Sequence, residues 1–321
     1  MNIFFLTLNQ MLTMFTFMVV GFILRRKKIL PESAYLVLSR LETYFFLPAL
    51  LLNNWMNNCS ISTLKENSTL VLYGLLLTGS AVLLSYPLSR LFVRKSGEAG
   101  SEYQRNIYKY AMTFGNHGFV GNFVVLGIWG SEMLFKYSML TLAGSFACNS
   151  WGLLVLMPKE EDRPTVKGIL KRMFTPSIIA LFIGLIAGLC NVRGYVPQFV
   201  TTVLEGGAGC MGPVAMLLAG IVIGGYDLKE ILTYKKVYVA TLMRLIIIPA
   251  AFVLGLSALG ASKEIVTLAL IAFGTPIGLN TIVYPAAYGG DTKTGASMAL
   301  ISHALSVITI PLMYLIFVIL L

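Results

Sequence analysis

Apolar residues run through this chain for about 20 positions at a time, the length at which a helix crosses roughly 30 Å of hydrocarbon, and short polar stretches separate the runs. The pattern predicts ten helical segments in chain order: 3–24, 34–55, 69–92, 107–127, 135–157, 177–190, 199–224, 237–259, 265–288 and 295–320. The chain therefore reads as an all-α polytopic membrane protein.

The pattern is interrupted inside segments 4 and 9. Segment 4 contains Phe114-Gly115-Asn116-His117-Gly118-Phe119-Val120-Gly121-Asn122, and segment 9 contains Phe273-Gly274-Thr275-Pro276-Ile277-Gly278-Leu279-Asn280-Thr281. These residues lack or release backbone hydrogen bonds, and hydrocarbon has no water to replace them, so such backbone survives where it lines a cavity. Paired interruptions in two halves of a membrane chain point to the substrate site of a secondary transporter.

Further matches divide the chain into two five-helix repeats, 1–157 and 177–321, joined by a loop over 158–176. Pro48 in segment 2 answers Pro213 in segment 7, and Pro87 in segment 3 answers Pro249 in segment 8, at nearly the offset of the two breaks. Because five is odd, the second copy enters the membrane from the opposite side, which makes the repeats inverted. At 1.5 Å per residue each break lies roughly 13 to 16 Å deep, near the midplane. Half-helices beginning after Asn122 and Thr281 then aim their N-termini at the centre, a seat for a carboxylate. Two C-terminal ends converge there too and suit a cation.

Composition agrees with the membrane reading. Hydrophobic residues make up 57%, charged residues 12%, and mean hydropathy is +0.80; soluble chains carry about a quarter charged residues. With the N-terminus outside, 18 basic residues fall in inner loops and four (Lys65, Lys136, Arg193, Lys263) in outer ones. This asymmetry predicts a multi-pass protein of the plasma membrane, the bacterial inner membrane, with both termini outside. It also explains the net charge of +10 by contact with anionic lipid, without nucleic acid. The first run precedes its positive cluster and has no small-residue cleavage site, so it is expected to remain as a helix. Of the four cysteines, Cys59 and Cys190 are near enough to the outer face for a disulfide, with free thiols as the simpler expectation. Two histidines without Cys/His spacing, and no phosphate-binding loop, lead to the expectation of no metal, no cofactor and no enzyme activity. The run Lys159-Glu160-Glu161-Asp162-Arg163 reads as a solvated loop.

At the breaks the chain resembles the auxin efflux carrier family, which includes bacterial malate and malonate permeases and plant PIN-type carriers. Asn116-His117-Gly118-Phe119-Val120-Gly121-Asn122 is similar to the family's Asn-x-Gly-Phe-x-Gly-Pro pattern, and Tyr284-Pro285-Ala286-Ala287-Tyr288-Gly289-Gly290-Asp291 to its Ala-x-x-Tyr-Gly-x-Asp ending. Asn122 stands where the pattern has proline, which leaves the glycines and Asn116 to open segment 4. The resemblance implies a dimeric scaffold of segments 1, 2, 6 and 7, and a mobile bundle of segments 3 to 5 and 8 to 10 in which segments 4 and 9 cross. It further implies weak organic acid anions as substrates, carried by elevator-like alternating access.

The expected substrate-binding residues are Asn116, His117, Asn122, Thr275, Asn280 and Thr281, with Gly115, Gly118, Gly121, Pro276 and Gly278 shaping the crossover backbone. His117 could bind a carboxylate or carry a proton, or only satisfy freed backbone. Glu205 and His303 are candidates for proton or sodium coupling. Arg40 and Arg244 are expected to snorkel to the inner interface. A sodium-coupled symporter resembling bile-acid carriers is the alternative within the class, and a metabolite-binding membrane sensor the alternative outside it.

Overall fold

The computed structural model describes residues 3–93, 101–158 and 164–320, the side chains of 319 and 320 excepted. Arg94, Lys95 and the run Lys159 to Arg163 lie outside the described residues. Among the described residues the chain is helical and has no strand. Seven helices are long and apolar enough to cross a membrane: Ile3–Arg26, Ala34–Asn58, Ile61–Phe92, Ser101–Leu156, Gln198–Gly224, Lys235–Ala258 and Lys293–Val318. The pair Val166–Met173 and Pro176–Leu189, bent by 57°, makes an eighth if taken as one span.

Most ends fall within about three residues of the hydropathy boundaries. Two starts come earlier: segment 4 begins at Ser101 instead of 107, and segment 3 at Ile61 instead of 69, because Ser60 and Thr63 form a reciprocal capping box that satisfies orphan N–H groups in a polar stretch. The 158–176 loop is also shorter than expected, since Val166–Met173 is helical and carries Lys171 and Arg172 in its last turn.

The 56-residue run Ser101–Leu156 is folded back on itself. Gly130 has φ 81° inside it, a conformation open to glycine and costly for other residues. Contacts on either side climb in opposite directions: Tyr103 Oη donates to Leu156 O (2.9 Å), Tyr110 Oη meets Cys148 Sγ (3.0 Å), and Tyr137 Oη donates to His117 O (3.2 Å). Segments 4 and 5 are thus an antiparallel hairpin turning at Gly130.

Two helix pairs pack at very short range. Segment 1 lies on segment 7, with Gly21 against the Leu217 backbone, and segment 6 lies on segment 2, where a Cβ on Gly184 would fall 2.8 Å from Leu52 O. Small residues let backbones approach where lipid offers no hydrophobic drive to associate. Segment 3 packs on segments 4 and 5, and segment 8 on segments 9 and 10. Gln10 Nε2 of segment 1 donates to Phe123 O (3.1 Å), tying the first pair to the broken helix of segment 4.

The prolines differ from the expected match. Pro48 and Pro249 each stand at the second helical position after a π turn, Glu42–Phe46 and Met243–Ile247, whereas Pro87 and Pro213 lie inside continuous α-helix. A widened turn relieves the clash between the proline ring and the preceding carbonyls. Local backbone therefore pairs segment 2 with segment 8, where the sequence paired segment 2 with 7 and segment 3 with 8.

Candidate functional site

The two breaks touch. Segment 4 is α-helical to Thr113, opens over 114–116 and resumes as a π turn His117–Gly121; segment 9 stops at Gly274 and resumes at Asn280. Asn116 N–H donates to Pro276 O at 2.6 Å, which gives each opened strand of backbone a partner in the other. Gly278 faces the Asn116 backbone, with ordinary room for a Cβ at 3.7 Å. Ile277 N–H is taken by Ser302 Oγ of segment 10 (2.9 Å), which ties the second break to that helix.

Segment 4 resumes earlier than the sequence suggested. Asn116 Oδ1 accepts from Phe119 N–H (3.4 Å) and caps the new helix, as asparagine does at N-caps. Val120 and Gly121 N–H both reach Asn116 O, and Asn122 N–H reaches His117 O. Proline could not make that last bond. Asn122 therefore sits inside a helix, closing a π turn, and the half-helix begins at His117 instead of after Asn122.

Beside the crossing is a small cavity lined by Thr78, Thr113, His117, Thr141, Arg244 and Phe273, among others, and no carboxylate is among its described lining residues. Its free volume suits about one or two water-sized groups. Arg244 comes from the π turn of segment 8 and is 1% exposed. Its guanidinium lies 5.7 Å from the Phe273 ring centroid, and a Cβ on Gly115 would fall 2.6 Å from Nη2 and 2.7 Å from Thr275 O. Nε and Nη1 have no hydrogen-bond partner among the described residues. Arg244 does not snorkel; the widened turn directs it into the protein. Arg40, by contrast, is exposed. His117 Nδ1 meets Gly115 O at 3.2 Å, and its ring edge faces Gly144 across the same cavity.

The other expected donors are engaged within the protein. Asn280 Nδ2 donates to Tyr110 Oη (2.9 Å) and approaches Cys148 Sγ (3.4 Å). Thr275 Oγ1 donates to Ala272 O and Thr281 Oγ1 to Gly278 O. Of the crossover glycines, Gly115 and Gly121 are tight, the latter against the Tyr137 hydroxyl, whereas Gly118 has no atom within 4 Å of an added Cβ. Four free cysteines are present and Cys59 is not joined to Cys190.

The two coupling candidates are elsewhere. Glu205 is exposed on segment 7, away from the crossing. His303 is buried; Nδ1 meets Ala299 O (2.7 Å), and Nε2 is unpartnered beside a second small cavity that Met11, Met14, Met18, Met216 and Pro276 help to line. A larger cavity between segments 1, 7, 8 and 10 is lined almost wholly by apolar groups, Phe22, Ile223 and Leu305 among them. Sequence reasoning missed Arg244 because its position near a segment end reads as interfacial. The signal that could have found it is the π-turn-and-proline context shared with segment 2.

Comparison with known proteins gives a consistent result. Residues 6–314 match the family described as membrane transport protein. The chain is 25% identical over 311 residues to an uncharacterized transporter of Methanocaldococcus jannaschii, covering 95% of this chain and 97% of the relative. A second similarity, to an uncharacterized transporter of Schizosaccharomyces pombe, is 30% over 96 residues, 30% of this chain and 20% of that protein.

Proposed function

The chain belongs to the membrane transport protein family, the auxin efflux carrier-like group whose pattern its breaks resemble, and from that premise we propose that it is a secondary carrier of small organic anions. The observation that carries this reading is the contact between the two breaks, Asn116 N–H to Pro276 O at 2.6 Å, beside a cavity holding an arginine and no acid. Opened backbone from two helices meeting at one point is the arrangement in which a substrate can be held between two half-helix pairs.

In the proposed architecture ten segments cross the membrane as two inverted fives. The packing supports this: exchanging segments 1 and 6, and 2 and 7, converts the contact of 1 with 7 into that of 6 with 2, and both pairs are close. The same exchange maps segment 3 on segments 4 and 5 onto segment 8 on segments 9 and 10, and the crossing onto itself. Segments 1, 2, 6 and 7 would form the scaffold, as a homodimer, and the rest a bundle that moves past it. The charge asymmetry supports an orientation with both termini outside, in the bacterial inner membrane.

Coupling to sodium finds little support at this cavity, because the charged side chain among its described lining residues is the Arg244 guanidinium, which repels a cation. Counterflow in proteoliposomes with labelled malate, malonate, citrate and indole-3-acetate, with and without pH and sodium gradients, tests the proposal. Saturable exchange of at least one anion is expected; exchange of none would remove the carrier reading and favour a metabolite sensor.

A further inference from the structure

Within the anion-carrier reading, on which this step rests, we infer that Arg244 receives the carboxylate of the transported anion, in the cavity between segments 3, 4, 5, 8 and 9. An unpaired guanidinium in a membrane interior is costly, and such groups face cavities or partners when they persist. Arg244 meets this description on three counts. It is 1% exposed, two of its nitrogens lack a partner, and among the described residues no ion pair includes it.

The groups around it complete a seat for one carboxylate. A planar fork of N–H donors matches the two oxygens of a carboxylate, a pairing that lysine does not reproduce. The Phe273 ring holds the guanidinium from one side, and Gly115 leaves the space through which Nη2 approaches the break. Thr78, Thr113 and Thr141, with His117, line the remaining wall; the Thr113 and Thr141 hydroxyls donate to Lys109 O and Tyr137 O and keep their lone pairs free. Room for about one or two water-sized groups fits the carboxylate head alone, so the body of the substrate extends toward the crossing. The charge that selects the anion is then a side chain from segment 8, and the half-helix ends of segments 4 and 9 orient it.

The test uses full-length protein in nanodiscs, titrated with malonate, malate, acetate and indole-3-acetate and read by thermal shift and by binding of the labelled anion. Wild type is expected to bind at least one of them saturably. Arg244→Met should weaken that binding at least about tenfold, the loss expected when hydrogen bonds to a charged group are removed, and should raise thermal stability without ligand, because an unpaired buried charge has gone. Arg244→Lys should recover only part of the affinity, and Gly115→Ala, whose Cβ would crowd Nη2, should weaken binding by shifting the guanidinium while keeping its charge. Wild-type affinity in Arg244→Met or in Gly115→Ala would overturn the inference and leave the carrier reading standing. If Arg244→Met fails to fold, the lysine and Gly115 variants decide, and unchanged affinity in both overturns it. Absence of binding by wild type to every anion would overturn both.

Discussion

Segments 2 and 8 carry the same local device in different surroundings. Each has a five-residue π turn, Glu42–Phe46 or Met243–Ile247, with a proline two residues beyond it. Each turn holds an ionisable side chain shut from solvent: Glu42 is 0% exposed and Arg244 1%, and each has polar atoms without a partner among the described residues. Arg244 borders a polar cavity beside the crossing. The turn that carries Glu42 packs against segments 6 and 7, and Glu42 borders none of the three cavities described above. A π turn and a proline make room for an ionisable side chain inside a helix bundle. Neighbouring helices decide whether that side chain can reach a ligand.

The sharpest way to break the comparison is to fill the cavity side. Gly115→Val puts two methyl groups where Arg244 Nη2 and Thr275 lie, and uptake in proteoliposomes is expected to vanish. Gly118→Ala, at a position with open space, should leave the initial rate within about twofold, a margin smaller than one lost hydrogen bond. Equal losses at both glycines would show that the helix as a whole, and not the Arg244 cavity, sets the rate.

A smaller effect separates the cavity from the buried network on the other branch of the crossing. Asn280→Ala removes the donor to Tyr110 and Cys148 and should lower stability by about 1–3 kcal/mol, the range for stranding buried polar partners. Anion affinity should stay nearly unchanged. A thermal-unfolding series run with and without ligand reads both quantities, and an affinity loss matching the stability loss would place Asn280 in the binding site.

The smallest effect is expected at Glu42. Glu42→Leu replaces a buried group whose two oxygens have no partner, so the unfolding midpoint should rise modestly and uptake should stay near wild type. A collapse of uptake with the protein still folded would mean that Glu42 takes part in coupling, and the contrast between the two turns would be lost.

Much of the fold was legible because hydropathy runs and glycine-rich interruptions report directly on a lipid environment. The breaks in segments 4 and 9 are legible in the residues, whereas their crossing, seen at Asn116 and Pro276, is implied only by the family resemblance. What escaped was side-chain direction. Arg244 and Arg40 read alike, since both lie within a few turns of a segment end, but only the π turn before Pro249 turns Arg244 inward. Asn116, Thr275, Asn280 and Thr281 read as ligands because they are polar at depth. The opened backbone and neighbouring side chains use them first, as a cap, as intrahelical donors and as a partner for Tyr110. The polar start of segment 3 was missed because a capping box stabilises a helix that hydropathy does not report.

The most direct test of the account asks whether the transported anion occupies the cavity beside Arg244. In a background with the native cysteines replaced, Thr141→Cys lines that cavity and Thr43→Cys lies beside Glu42 in the other π turn. Labelling rates with a small thiol reagent are measured with and without the anion accepted in counterflow. The account predicts that the anion slows labelling of Thr141→Cys severalfold and leaves Thr43→Cys unchanged. Protection at Thr43→Cys, or none at Thr141→Cys under saturating anion, would contradict it.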